Sequence, residues 1–178
     1  YRVETVAGID PTTFLQGLGP IIGVENGQAA YKDLRPYTKH QAPHGSMSSL
    51  IGKSAQPKHT DGAYRIRPPH YIALLCIDPG ESPCPTHLWP LDLPSLQATR
   101  PPILTETNWV AHGGLQRPFY CTILEKHGEI SRIRFDPLCM WTVSRCSSDV
   151  ADAQQVIDQY ASHTEINWTR GSMLVINN

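Results

Sequence analysis

Charge is scarce in this sequence. Charged side chains make up 17% of its 178 residues, below the roughly 25% of an average globular chain. The 15 basic and 16 acidic residues leave a net charge of −1. No basic block stands out that would follow a phosphate backbone, so a nucleic-acid partner is not expected. No apolar run approaches the length of a membrane span, and the start lacks the charged-then-apolar order of a secretory leader, so no membrane partner is expected either. Cysteine occurs five times, at Cys76, Cys84, Cys121, Cys139 and Cys146. The number is odd and no two form a Cys-x-x-Cys pair, which speaks against a disulfide framework and a zinc ribbon. Reduced thiols in a cytoplasmic protein are the expectation. Helical periodicity is equally sparse, clear only at Val150, Ala153, Val156, Ile157 and Tyr160, with Ser148 or Asp149 as N-cap.

What the chain does have is a 40% hydrophobic content with 16 prolines and 13 glycines, scattered rather than periodic. This composition fits one folded, soluble domain over residues 1–178, built from many short strands and turns. Tyr71–Ile77, bracketed by Pro68-Pro69 and Asp78-Pro79-Gly80, reads as a buried strand. Thr105–Val110, Pro118–Leu124 and Trp168–Ile176 read as further strands, and Ile130–Phe135 alternates as a half-buried strand does. Leu91–Thr99 is expected to hold a short helix stopped at Arg100-Pro101-Pro102, and Pro11–Leu15 another. Gln41–Lys58 reads as a surface loop, and His40–Ser54 as a lid over a site mouth. The expected class is mainly β with a few helices, an antiparallel sandwich or jelly roll rather than βαβ units.

Among the eight histidines, His59-Thr60-Asp61 has the spacing of a metal-ligand pair. On an extended strand residues i and i+2 share a face, so an imidazole and a carboxylate aim at one ion. A third ligand completes the two-His-one-carboxylate triad of non-haem Fe(II) oxygenases. His127-Gly128-Glu129 has the same spacing but reads as an exposed hairpin tip. His70 and His112 read as surface or hydrogen-bonded histidines, and His163 as a helix-ending residue favourable to the dipole.

The segment His59-Thr60-Asp61-Gly62-Ala63-Tyr64-Arg65 runs through Pro68-Pro69 into the apolar strand, then Gly80-Glu81, then Thr86-His87-Leu88-Trp89. This order resembles the taurine dioxygenase/clavaminate synthase-like family of Fe(II)- and 2-oxoglutarate-dependent oxygenases. Trp168–Asn178 is similar to that family's Gly-Asp-Leu-Leu-type strand, whose Asn leads within a few residues to a distal His ligand and, farther on, to an Arg for the co-substrate carboxylate. Neither residue is printed. With Tyr1 as first residue and an apolar run at the end, the sequence is expected to be part of a longer gene product lacking the domain's C-terminal end.

The resemblance covers residues 59–178 and leaves 1–58 unassigned. It implies a double-stranded β-helix (jelly roll) with Fe(II) held by His59 and Asp61. It also implies 2-oxoglutarate as co-substrate with Thr86 on its far carboxylate, O2 as oxidant, and hydroxylation or desaturation of a small polar molecule such as an amino acid or organic acid. The carboxylate of Asp61 argues against halogenation, because related halogenases carry a small residue there. Arg134 and Asp136, in Arg132-Ile133-Arg134-Phe135-Asp136, resemble a substrate-binding segment of the amino-acid-oxidising members, though a salt-bridged strand end explains them equally. Arg65 and Arg67 offer bidentate donors for an anionic substrate, or a solvated turn. Two alternatives stay open. One is a catalytically silent jelly-roll module that binds a metal or ligand. The other is a cupin-like hydrolase or isomerase using Zn or Mn as Lewis acid. Self-association into a homo-oligomer is left open.

Overall fold

Proline and glycine break this chain into short pieces, and the structure, a computed structural model, shows those pieces pairing as antiparallel strands. It describes residues 2–5, 17, 34–44, 46–81, 84–113, 117–128 and 130–178. The short helix expected at Pro11–Leu15 lies outside the described residues. Ten strands and four helices are found among them. The contacts divide the chain into two units.

The first unit gathers the described parts of Tyr1–Gln56, Tyr71–Ser82 and Thr169–Asn177. Strand β1 (Arg2–Thr5), β2 (Tyr71–Leu75) and β10 (Ser172–Asn177) form an antiparallel sheet with β10 in the middle. The central position buries Ser172, Met173 and Leu174. Strand β2 was expected to be buried, but it lies at the sheet edge and its residues are half-buried or exposed. Register is fixed at the β2–β10 turn end, where the Cys76 amide donates to Ser172 O at 2.9 Å and the Gly171 amide donates to Cys76 O at 2.8 Å. The Gln41–Lys58 stretch is not all loop. Helix α1 (Met47–Ile51) forms there and stops at Gly52, whose φ of 64° is open to glycine without strain.

The second unit holds Pro57–His70, Pro83–Trp168 and Asn178. Helix α2 (Leu93–Thr99) forms within the expected Leu91–Thr99 but starts two residues later, after Asp92, which accepts from the Ser95 amide at 3.2 Å and the Ser95 hydroxyl at 2.6 Å. Residues 102–105, where a strand was expected to begin at Thr105, instead form helix α3 (Pro102–Thr105). Proline suits the first helical position, since its missing N–H has no intrahelical partner there. Strands β4 (Trp109–Ala111), β5 (Phe119–Cys121) and β8 (Met140–Thr142) make a sheet with β4 central. Strand β3 (Thr86–Leu88) pairs with β9 (Thr164–Ile166), and β6 (Leu124–His127) with β7 (Ile130–Ile133).

Helix α4 (Ser147–Asp158) carries the periodic stripe, placing Ala153 and Ile157 in a core with Leu96, Leu104, Trp109, Ile123, Phe135 and Met140. Burying the apolar faces of these residues stabilises the unit by about 25 cal/mol per Å² removed from water. Trp109 keeps its N–H satisfied by donating to Ile103 O at 3.0 Å. The α4 N-cap is Cys146, without a side-chain cap bond. Asp149, one of the two expected caps, instead accepts from Thr142 and Ser144, and these hydroxyls hold its carboxyl below the usual range. The helix ends before His163, so that histidine has no dipole role.

Candidate functional site

The His59–Asp61 pair does not lie on a strand. Residues 57–60 are irregular and Asp61–Tyr64 form a turn. Side-chain alternation is therefore not what brings the two groups together; local tethering does. The Thr60 amide donates to Phe135 O at 2.7 Å, and the Phe135 amide donates back to Thr60 Oγ1 at 3.0 Å. On the next residue the Asp61 amide donates to Asn178 Oδ1 at 2.8 Å, while Asn178 Nδ2 donates to Asp61 O at 2.9 Å and Pro69 O at 3.0 Å. One carboxamide thus satisfies both backbone groups of Asp61. Gly62 follows with φ 71°, the left-handed conformation this turn requires.

Held this way, His59 Nε2 lies 3.4 Å from Asp61 Oδ1. The other ring nitrogen, Nδ1, is 2.8 Å from Pro57 O. A carbonyl only accepts, so Nδ1 carries a proton and the second nitrogen is the one directed at the carboxylate. Asp61 raises the His59 pKa to about 9 against the opposing effect of burial, with smaller contributions from the Pro57 carbonyl and the Asp136 charge. A proton thus bridges the nitrogen and the oxygen. The same two atoms, deprotonated, suit a divalent metal: two ligands each about 2.1 Å from one ion stand roughly 3 Å apart. The backbone carbonyl on Nδ1 is the outer support that metal-bound histidines ordinarily have. The donor set therefore fits an iron ion. Among the described residues no group of three or more His, Cys, Asp or Glu is arranged to hold a metal.

Arg134 fixes the far side of the same turn. It is 2% exposed and lies one residue past the end of β7, and it is salt-bridged, as one of its two sequence readings expected. Its guanidinium donates to Ala63 O at 2.6 Å, Arg65 O at 2.5 Å and Ile66 O at 3.3 Å, and to Glu125 Oε1 at 2.6 Å. Arg132 donates to Glu125 Oε2 at 2.5 Å. Burial pushes the Glu125 carboxyl up, and the two guanidiniums outweigh it and hold it below its ordinary range. Asp136 is also buried and accepts from the Leu138 amide at 2.9 Å. Arg65 is half-buried, with its guanidinium 5.8 Å from the Tyr64 ring centre, and Arg67 is exposed.

Thr86 opens β3, and its Oγ1 accepts from Trp168 Nε1 at 2.9 Å. An indole only donates, so the threonine keeps its own O–H for another acceptor. His127 belongs to the β6–β7 hairpin around Gly128, while Glu129 and the His127 side chain lie outside the described residues. His70 is exposed, and His112 stands 5.9 Å from Trp141, ring to ring. Two thiols of this unit are poor nucleophiles: burial, then the Asp136 charge, pushes Cys139 up, and burial pushes Cys121 up to about 11, whereas Cys84 and Cys146 are exposed. Asn178 and Trp168 are the site's unforeseen supports. Their only signal in the sequence is chemical, a side chain that both donates and accepts and another that only donates.

No protein-family model matches the sequence, and no curated protein does. The fold is similar to crystal structures of the non-heme iron oxygenase OrfP. Against its complex with Fe and L-Arg the TM-score is 0.51 at 19% identity, over 79% of this chain and 50% of that one. The complex with Fe and L-canavanine gives the same values. A further OrfP structure gives 0.50 at 20% identity, over 70% of this chain and 44% of that chain. This chain therefore spans at most half the length of these structures.

Proposed function

We propose that this chain carries the jelly-roll domain of an Fe(II)- and 2-oxoglutarate-dependent dioxygenase of the taurine dioxygenase/clavaminate synthase-like kind. Its substrate is a small polar molecule that it hydroxylates or desaturates. The observation that carries the reading is the His59 Nε2 to Asp61 Oδ1 separation of 3.4 Å with Nδ1 tied to Pro57 O. The OrfP-like fold supports it.

In this reading His59 and Asp61 hold the metal through Nε2 and a carboxylate oxygen. Bound Fe(II), with 2-oxoglutarate and O2, supplies oxidation of a C–H bond coupled to decarboxylation of the co-substrate. Thr86, its oxygen already occupied by Trp168, donates its O–H to the far carboxylate of 2-oxoglutarate. The reading requires a third protein ligand, a histidine that the resembling family places a few residues past the Asn of its last strand. Arg65 contacts the substrate. Arg134 and Asp136, whose polar atoms bind the protein itself, act from behind, one securing the 63–66 backbone and the other adding negative charge near His59. The OrfP complexes with L-Arg and L-canavanine make amino acids the first substrates to test.

The test is succinate formation from 2-oxoglutarate by the full natural polypeptide with Fe(II) and a panel of amino acids. The reading expects turnover that is abolished in His59→Ala and Asp61→Ala. Turnover that survives both substitutions, or metal binding with no turnover on any substrate, overturns it. The second outcome leaves a silent binding module.

A further inference from the structure

Two further histidines, neither of them part of the His59–Asp61 pair, meet at the β3–β9 ribbon. His87 Nδ1 and His163 Nε2 are 3.0 Å apart, and the two rings meet edge to edge through these nitrogens, with centroids 5.2 Å apart and planes 21° from parallel. The ribbon explains the approach. In the antiparallel register His87 faces Glu165 and Leu88 faces Thr164, so His163, one residue before Thr164, lies beside His87 across the strands. Alternation buries Leu88 and Ile166 and leaves the His87 side chain 43% exposed. Trp89 walls the pair, its ring 5.5 Å from that of His163.

We propose that His87 and His163 form a binding site for a late divalent transition metal of the Cu(II), Ni(II) or Zn(II) class, separate from the iron site. Two imidazole nitrogens about 2.1 Å from a common ion and 3.0 Å from each other subtend roughly 90° at it, an angle that square-planar and octahedral shells both use. Without metal the two nitrogens share one proton. Coordination moves that proton to the other ring nitrogen of its own histidine, which frees both lone pairs for the ion at no change in net charge. Imidazole nitrogen selects this metal class over Mg or Ca, and water fills the remaining positions.

The surroundings favour a cation. The Glu165 carboxylate stands 4.0 Å from His87 Nδ1, outside bonding distance but close enough to offset the charge of the ion. The nearby ammonium of Lys58, 4.7 Å over the Trp89 ring, is neutralised by Asp158 at 2.7 Å. The Trp89 wall and the ring-to-ring hydrogen bond keep both nitrogens within reach of one ion, and each ring turns to aim its lone pair at the metal. An ion here ties β3 to β9 immediately beside Thr86.

The experiment titrates Cu(II) into the full chain carrying His59→Ala, which removes the other metal pair and makes the result independent of the oxygenase reading. The expected result is one equivalent with a two-nitrogen electron paramagnetic resonance pattern and quenched tryptophan fluorescence. Adding His87→Ala or His163→Ala weakens binding by about tenfold or more and leaves at most a one-nitrogen pattern. Far-ultraviolet circular dichroism checks that both exposed substitutions fold. Binding that is unchanged in His163→Ala, or absent in the His59→Ala chain, overturns the proposal.

Discussion

In the proposed reading His59 and Asp61 are a ligand pair whose spacing local hydrogen bonds set. The raised His59 pKa of about 9 means that a proton competes with metal for Nε2 at neutral pH. Apparent metal affinity at His59 and Asp61 is therefore expected to rise with pH until about 9 and then level off, as isothermal titration with Zn(II) will show. The metal-free chain behaves in the opposite sense. A folded-state pKa above the unfolded 6.5 contributes stability that is complete below 6.5 and lost as pH rises through about 9. Asp61→Asn is thus expected to lower the urea midpoint at acid-neutral pH and to have little effect through this pair above about pH 10. Arg134 is the other decisive residue. Arg134→Met leaves three backbone carbonyls without their charged donor and leaves Glu125 with Arg132. A loss of about 3 kcal/mol in urea unfolding is expected, against less than 1 for substitution of an exposed surface charge. His59 and Asp61 were legible in the sequence because their relation is local. Arg134 was legible as a substrate-binding or salt-bridged strand-end residue, and its ion pair with Glu125 fits the second, while its burial and its bonds to the carbonyls of Ala63, Arg65 and Ile66 depend on long-range partners.

The element that matters most is the turn Asp61–Tyr64, and two glycines define it. Gly62 has φ 71°, and a Cβ there meets Pro69 Cδ at 3.1 Å. At Gly113, in the loop after β4, a Cβ meets Cβ and Cγ of Tyr64 at 2.8 Å, a clash with the rigid base of a side chain. Gly62→Ala is expected to cost about 1 kcal/mol, and Gly113→Ala about 1–3 kcal/mol with a measurable loss of metal affinity as the turn shifts. The Thr86 contact makes a separate prediction. In the proposed reading Trp168→Phe removes the indole N–H together with part of the fused ring while keeping an aromatic side chain, so the KM for 2-oxoglutarate is expected to rise about fivefold, near 1 kcal/mol, with kcat little changed. A parallel fall in stability without a change in KM contradicts that role for Trp168. The α4 helix was readable from periodicity and the end of α2 from Arg100-Pro101-Pro102, whereas the Asp92 cap of α2 was not foreseen. Helix α3 and the edge position of β2 were not, because a proline fits both a helix start and a strand boundary, and sheet order is set by distant pairing.

At the scale of the molecule, strands of three or four residues predominate, and what they present is a set of well-placed turns. No helix among the described residues is long and apolar enough to cross a membrane. The mainly β character was legible in the scattered proline and glycine. The tether from Asn178 to Asp61 was not, because it joins residues at opposite ends of the motif-bearing region through one side chain. The OrfP-like fold and the His59–Asp61 geometry meet in one claim, that this chain binds iron and 2-oxoglutarate together. Anaerobic titration of the full natural polypeptide with Fe(II) and 2-oxoglutarate tests it most directly. The account predicts a weak visible metal-to-ligand charge-transfer band that appears only with both components and disappears in His59→Ala. A folded polypeptide that shows no such band, or one whose band survives His59→Ala, contradicts the account.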